Sequence, residues 1–155
     1  MNSKKSQILL LTVLSLLLIG LVYRAYVKDD VATADKNNDG KPDEWSYFNW
    51  KGELLRFEKD KNKDGIPDTW DYYGPNNVPA KSLYDTNGDN QADTWTYYNE
   101  KGVRIRIERD LNFDQKADSI MHFDPAIQQP YVKSEVDADF DGVFEKVEDH
   151  ILKKN

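Results

Sequence analysis

Residues 35–45, DKNNDGKPDEW, return with small changes as DKNKDGIPDTW at 60–70, DTNGDNQADTW at 85–95, DLNFDQKADSI at 110–120 and DADFDGVFEKV at 137–147. The opening aspartates stand at 35, 60, 85, 110 and 137, with spacings of 25, 25, 25 and 27 residues, so the chain is an array of one short unit. Within each copy Asp occupies position 1, Asn or Asp position 3, Asp position 5, a turn residue position 6, a carboxylate position 9 and a strand-type residue position 11. This register decides the fold, because every unit begins with a tight acidic loop and continues as strand.

Alternation follows each loop. Trp45 and Tyr47, Trp70 and Tyr72, Trp95 and Tyr97, and more weakly Ile120 and His122, recur at every second residue, the period of a strand. A return strand is clearest in 103–110, VRIRIERD, where Val103, Ile105 and Ile107 face one side and Arg104, Arg106 and Glu108 the other. Leu55 and Phe57 repeat it in the first unit. Each unit is therefore a hairpin. Two units turn tightly, on Asn49-Trp50-Lys51-Gly52 and Asn99-Glu100-Lys101-Gly102, with glycine placed for positive φ. The other two use longer loops, Gly74 to Pro79 and Asp124 to Pro130, and their return strands share Lys81-Ser82 and Lys133-Ser134. The duplication thus pairs residues 35–84 with 85–136, followed by a terminal fifth loop and strand. The expectation is an all-β, antiparallel up-and-down meander of about nine strands, curled or barrel-like so that an aromatic face is covered. Acidic loops lie along one edge and hairpin turns along the other.

The loops carry the chemistry. Calcium takes six to eight oxygens from a flexible cage, and oxygens at positions 1, 3 and 5, a carbonyl at 7 and a later carboxylate can wrap one ion. The side-chain ligands would be Asp35, Asn37, Asp39 and Asp43; Asp60, Asn62, Asp64 and Asp68; Asp85, Asn87, Asp89 and Asp93; Asp110, Asn112, Asp114 and Asp118; and Asp137, Asp139, Asp141 and Glu145. Carbonyls of Lys41, Ile66, Gln91, Lys116 and Val143 would fill position 7. A single copy reads equally well as a solvated Asp-Gly turn. A turn needs only one or two of these residues, however, whereas carboxylates at 1, 5 and 9 recur in all five. Magnesium resists dehydration into such a cage. Of up to five sites the fourth should be weakest, since Gln115 stands where a positive φ is wanted.

These loops resemble the calcium loops of FG-GAP repeats in integrin-type propellers and, more loosely, those of thrombospondin type-three repeats and dockerins. In FG-GAP loops the ninth-position carboxylate closes the site, a role that the resemblance gives to Asp43, Asp68, Asp93, Asp118 and Glu145. The likeness stops at the loops, because a propeller blade is much longer than one unit and the Phe-Gly and Gly-Ala-Pro elements are missing. An EF-hand fits poorly, since position 12 holds Ser46, Asp71, Thr96, Met121 and Glu148.

The formal net charge is -7. Residues 1–34 carry +2, and 35–155, with 17 basic and 26 acidic groups, carry -9. Such a surface repels a phosphate backbone, so nucleic acid is excluded as a partner. There is no cysteine, which removes disulfides, thiolate metal sites and a cysteine nucleophile together. The two histidines, His122 and His150, leave a thin catalytic inventory; no nucleophile elbow or phosphate loop is present, and the loops account for the carboxylates. The expectation is a protein that is not an enzyme.

Residues 1–34 read as an N-terminal segment and linker, and 35–155 as the repeat domain. Ile8 to Tyr23, ILLLTVLSLLLIGLVY, is uncharged and mostly apolar, and Ala25 to Val27 extend it to about the 20 residues that span a bilayer. Lys4 and Lys5 precede it, which puts the N-terminus in the cytoplasm and the domain in the periplasm or outside the cell. A cleaved signal peptide is the alternative, with secretion after cleavage near Ala34 in Ala32-Thr33-Ala34. Both readings export the domain. The function expected is a calcium-binding structural or accessory subunit that meets the membrane through its N-terminal helix and one or more protein partners in a larger assembly. Alternatives are a calcium-dependent adhesin or glycan-binding module, with Trp50, Tyr73 and Tyr98 as a stacking surface, and an extracytoplasmic calcium sensor.

Overall fold

The computed structural model describes residues 30–126 and 133–149. Ten antiparallel strands form one sheet in strict chain order: β1 (Asp30–Ala34), β2 (Glu44–Phe48), β3 (Leu54–Lys59), β4 (Thr69–Tyr73), β5 (Pro79–Tyr84), β6 (Thr94–Tyr98), β7 (Arg104–Arg109), β8 (Ser119–His122), β9 (Lys133–Val136) and β10 (Lys146–Asp149). The all-β meander is as expected. The additional strand is β1, in residues assigned to the linker, where the short DVATA run pairs in register with β2 from Asp30 opposite Phe48 to Ala34 opposite Glu44. The apolar run 8–27, read as an anchor or signal helix, lies outside the described residues. Among the described residues no helix is long and apolar enough to cross a membrane.

The barrel-like closure is not found among the described residues. β1 and β10 stand at the two ends of the strand order, and the extensive contacts run only between neighbours in that order. The expectation assumed that the apolar residues share one face, but the register divides them. Residues facing each other across a pair lie on the same side of a sheet, which gives one face the row Trp45, Glu58, Trp70, Leu83, Trp95, Glu108, Ile120 and Glu135. The opposite face carries Ser46, Phe57, Asp71, Ser82, Thr96, Ile107, Met121 and Ser134. With apolar residues on both sides and polar residues between them, neither face gains enough from burial to force closure. No hydrophobic side chain among the described residues is fully buried.

Polar and aromatic groups therefore hold the Trp face together. Tyr47 donates its hydroxyl to Glu58 at 3.0 Å and Tyr97 to Glu108 at 2.8 Å. The Arg56 guanidinium lies 4.0 Å from the centre of the Tyr47 ring and that of Arg106 lies 4.3 Å from the Tyr97 ring. Each such stack is worth about 0.5–1 kcal/mol at a wet site. The same Tyr, Arg and Glu recur two units apart, so the 50-residue duplication read from the sequence is also a duplication of contacts.

At the turn rim, Gly52 and Gly102 take φ of 78° and 73° and close onto Asn49 and Asn99 with N–H to C=O bonds of 2.9 Å. The second unit turns through a short 3-10 segment, Pro75–Asn77. The Asn77 side chain accepts the Leu54 N–H at 2.8 Å, tying one hairpin to the one before it. A one-residue register shift precedes each of these three turns, after Tyr47, Tyr72 and Tyr97; nothing in the alternation signals these bulges.

Candidate metal centre

All five acidic loops fall at the end of the sheet away from the hairpin turns, joining β1 to β2, β3 to β4, β5 to β6, β7 to β8 and β9 to β10. Their ends continue the sheet. The Asp60 N–H donates to the Asp43 carbonyl at 2.9 Å, Asp85 to Asp68 at 2.9 Å, Asp110 to Asp93 at 2.8 Å and Asp137 to Asp118 at 2.8 Å. Position 9 of each loop thus faces position 1 of the next, and eight aspartates, Asp43, Asp60, Asp68, Asp85, Asp93, Asp110, Asp118 and Asp137, form one row across the strands. Each is at most 8 % exposed. In a sheet without a fully buried hydrophobic residue, the most enclosed side chains are mainly these carboxylates.

Facing like charges destabilise a strand pair, so the row needs compensation, and the loops supply N–H groups. In the first loop Asp35 accepts from the N–H groups of Asn38 at 2.6 Å and Gly40 at 2.8 Å. Asp43 accepts from Lys36 at 2.7 Å and Asn37 at 3.1 Å, and Asp39 from Lys41 at 2.9 Å. The Asn37 amide donates to Asp39 at 2.9 Å and to Asp43 at 3.2 Å. The Asp39 carboxyl is lowered from its ordinary value, first by the Lys41 N–H and then by the Asn37 amide. Loop 2 repeats the whole set around Asp60, Asn62, Asp64 and Asp68, whereas loop 3, around Asp85, Asn87, Asp89 and Asp93, and loop 4, around Asp110, Asn112, Asp114 and Asp118, repeat its backbone N–H bonds.

The backbone path demands two left-handed residues per loop, of which the sequence reading saw one. Position 6 is Gly40, Gly65, Asn90, Gln115 and Gly142, with φ from 68° to 96°. Position 4 is Asn38, Lys63, Gly88, Phe113 and Phe140, with φ from 61° to 80°. Asn38 and Gly88, both suited to that conformation, were the available signal, and the other three copies obscured it. Loop 4 has no glycine or asparagine at either place, so its backbone is the most strained of the five.

Loop 5 differs in its chemistry. Asp139 replaces the asparagine and has no amide to offer, and carboxylate oxygens of Asp137, Asp139, Asp141 and Glu145 all lie within 4.8 Å of one another. This group could hold a metal ion. The Asp141 charge, ahead of desolvation and the Glu145 charge, raises the Asp139 carboxyl above its usual value. Among the described residues this is the acidic group whose oxygens converge in this way; in loops 1 and 2 the Asn amide bridges positions 5 and 9, and in loop 3 the Asn87 amide reaches Asp89 while the Thr86 hydroxyl donates to Asp93. The carbonyl-bearing residues Lys41, Ile66, Gln91, Lys116 and Val143 all directly follow the position-6 turn.

The other candidate surface is divided. Tyr73 and Tyr98 lie on the sheet face opposite Tyr72 and Tyr97, but Trp50, 67 % exposed, sits in the first hairpin turn rather than beside them. His122, at a position where other units carry tyrosine, meets Glu135 through Nε2 at 2.9 Å. His150 lies outside the described residues.

No family model matches the chain, and no curated protein matches it. Among solved structures the chain is similar to one described as accessory secretory protein 1,2 and 3 in Streptococcus pneumoniae, at 15% identity and a TM-score of 0.43, over 64% of this chain and 20% of that one. The chain thus spans about a fifth of that chain's length.

Proposed function

We propose that the protein is an extracytoplasmic calcium-binding β-repeat module that works as a structural or accessory subunit of a larger membrane or envelope assembly. The observation that carries this is the row of enclosed aspartates at the loop rim, with four carboxylates converging in loop 5. A row of anions is a poor interior for a single-layer sheet unless cations join it. Oxygen ligands with flexible spacing suit calcium. Five ions would bring the -9 of residues 35–155 close to neutral. They would clip adjacent hairpins together in a chain that has no disulfides.

The module acts by binding rather than catalysis, and residues 8–27 hold it to the membrane with its N-terminus cytoplasmic. Support for the anchor is the apolar run with Lys4 and Lys5 ahead of it. The resemblance of the loops to FG-GAP calcium loops agrees with the ligand set. Calorimetric calcium titration of the full chain in mild detergent, with thermal melts in calcium and in chelator, tests the reading. Calcium uptake and a lower melting temperature in chelator are expected; no uptake and an unchanged melt would sink it.

A further inference from the structure

The rim opposite the acidic loops has one corner set apart by the direction of the chain. β1 starts at Asp30 opposite Phe48, the last residue of β2, so the turn at 49–52 reaches past the first residue of β1. Two residues separate the apolar run 8–27 from Asp30, a span of about 11 Å at most. The same corner carries exposed apolar surface. Among the described residues, the exposed Ile66, Leu111, Phe113, Phe140 and Val143 lie on acidic loops and Tyr72 lies within β4, which leaves Val31 and Trp50 at this corner. Trp50 is the most exposed of them all, at 67 %. The turn itself does not require an aromatic. Asn49 accepts the N–H groups of Lys51 at 2.9 Å and Glu53 at 3.0 Å, and Asn99 accepts those of Lys101 at 2.9 Å and Val103 at 3.0 Å. The two turns match in these bonds, yet Glu100 stands in the later one where the first has Trp50.

A tryptophan that the turn does not need, close to the end of a bilayer-length apolar run, stands where membrane proteins place aromatic residues at the water interface. The Lys51 ammonium lies 5.2 Å from the centre of the Trp50 ring, so the turn offers an aromatic body for the acyl boundary and a cation for the phosphate above it. We propose that the first hairpin turn docks on the bilayer interface, with Trp50 entering it and Lys51 at headgroup level. The domain then stands on this corner, with its acidic loops turned to the aqueous side. Asp30 and Glu53 offset the Lys51 charge, so the surface that fits is zwitterionic rather than anionic. Sheet twist accounts for Glu100 in the later turn: at about 20–25° per strand, β6 is turned by about 80–100° from β2, and the two turns do not point at one plane. The proposal rests on the membrane-anchor reading of residues 8–27.

The full chain is placed in phosphatidylcholine nanodiscs that carry a lipid nitroxide either near the headgroup or near the end of the acyl chain. The shallow nitroxide should quench tryptophan fluorescence more than the deep one. Trp50→Glu, which copies the later turn, should lose that quenching and keep the wild-type melting temperature. The chain has no cysteine, so Lys51→Cys and Lys41→Cys each carry a single spin label, one on the turn and one on loop 1 at the other end of β1 and β2. The Lys51 label should contact lipid and the Lys41 label water, read as collision with oxygen against a water-soluble relaxant. A chain held in the discs with its Lys51 label in water, or with quenching unchanged by Trp50→Glu, overturns the docking and leaves the anchor standing; Trp50 is then free for a protein or glycan partner. A Lys41 label in lipid overturns the orientation. A chain that the discs do not retain overturns the anchor reading, and the docking proposal with it.

Discussion

Loops 1 and 5 both turn through left-handed residues at positions 4 and 6, and the difference that most changes their chemistry is at position 3. Asn37 donates its amide to the carboxylates at positions 5 and 9; Asp139 adds a fourth carboxylate to Asp137, Asp141 and Glu145. The first loop satisfies its own anions and can hold its shape alone. The last keeps backbone donors for Asp137, Asp141 and Glu145 but has no amide for Asp139, and its oxygens converge within reach of one ion. One side-chain nitrogen separates a loop whose carboxylates are bridged by an amide from one whose carboxylates converge.

The largest expected effect removes the difference altogether. Chelation should lower the melting temperature of the full chain, since ligand at a hundredfold over its dissociation constant adds about 2.7 kcal/mol for each site filled. Differential scanning calorimetry in calcium and chelator reads this directly. Equal melts would mean that loop 5 is stable unaided, and the comparison would collapse.

Next come exchanges of the two residues. Asp139→Asn should stabilise the metal-free chain by about 1 kcal/mol through restored amide bonds while weakening calcium binding at loop 5; Asn37→Asp should do the reverse at loop 1. Chelator melts paired with calorimetric titration separate the two effects. If both variants shift metal-free stability in the same direction, position 3 is not what distinguishes the loops.

A smaller gain is expected from Gln115→Gly. Gln115 holds φ at 72°, and relieving that backbone should stabilise the chain by about 1 kcal/mol, seen as a higher urea midpoint at constant slope. Loops 1, 2 and 5 already carry glycine at that place and loop 3 carries Asn90, which suits the left-handed backbone, so loop 4 should respond most.

The smallest effect is a pH dependence of opposite sign in the two loops, in chelator. Asp39 has a lowered carboxyl, so its contribution is present above the unfolded-state value and fades as pH falls through the lower folded value. Asp139 has a raised carboxyl; its ionised form disfavours folding, and protonation as pH falls through the raised value relieves loop 5. Carbon-detected NMR titration of the two side chains should place Asp139 above about 3.9, the ordinary aspartate value, and Asp39 below it.

The repeat made much of this legible. Asp at fixed offsets located all five loops, the Trp and Tyr alternation located strands, and Gly52 and Gly102 located the tight turns. What escaped depended on partners rather than on local pattern. β1 has only Ala, Val and Thr to announce it, and becomes a strand because β2 offers it an open edge. Burial of Asp43 through Asp137 arises from a register that places loop ends opposite one another, which no single unit displays. A strand order that ends at β1 and β10 among the described residues goes with a two-sided distribution of apolar residues, visible once Trp70 and Phe57 are assigned to opposite faces. Left-handed position 4 was masked because Lys63, Phe113 and Phe140 are not residues that choose it.

In this meander each strand leans on the strands immediately before and after it in the chain. Loop closure therefore spans no more than one unit at a time, so the sheet can zip up from any hairpin and should do so quickly. Stability becomes a sum of similar neighbour-to-neighbour increments. Such a chain can gain or lose whole units without redesign of the remainder, its outer hairpins fraying before its middle, and the number of units becomes a length that selection can set.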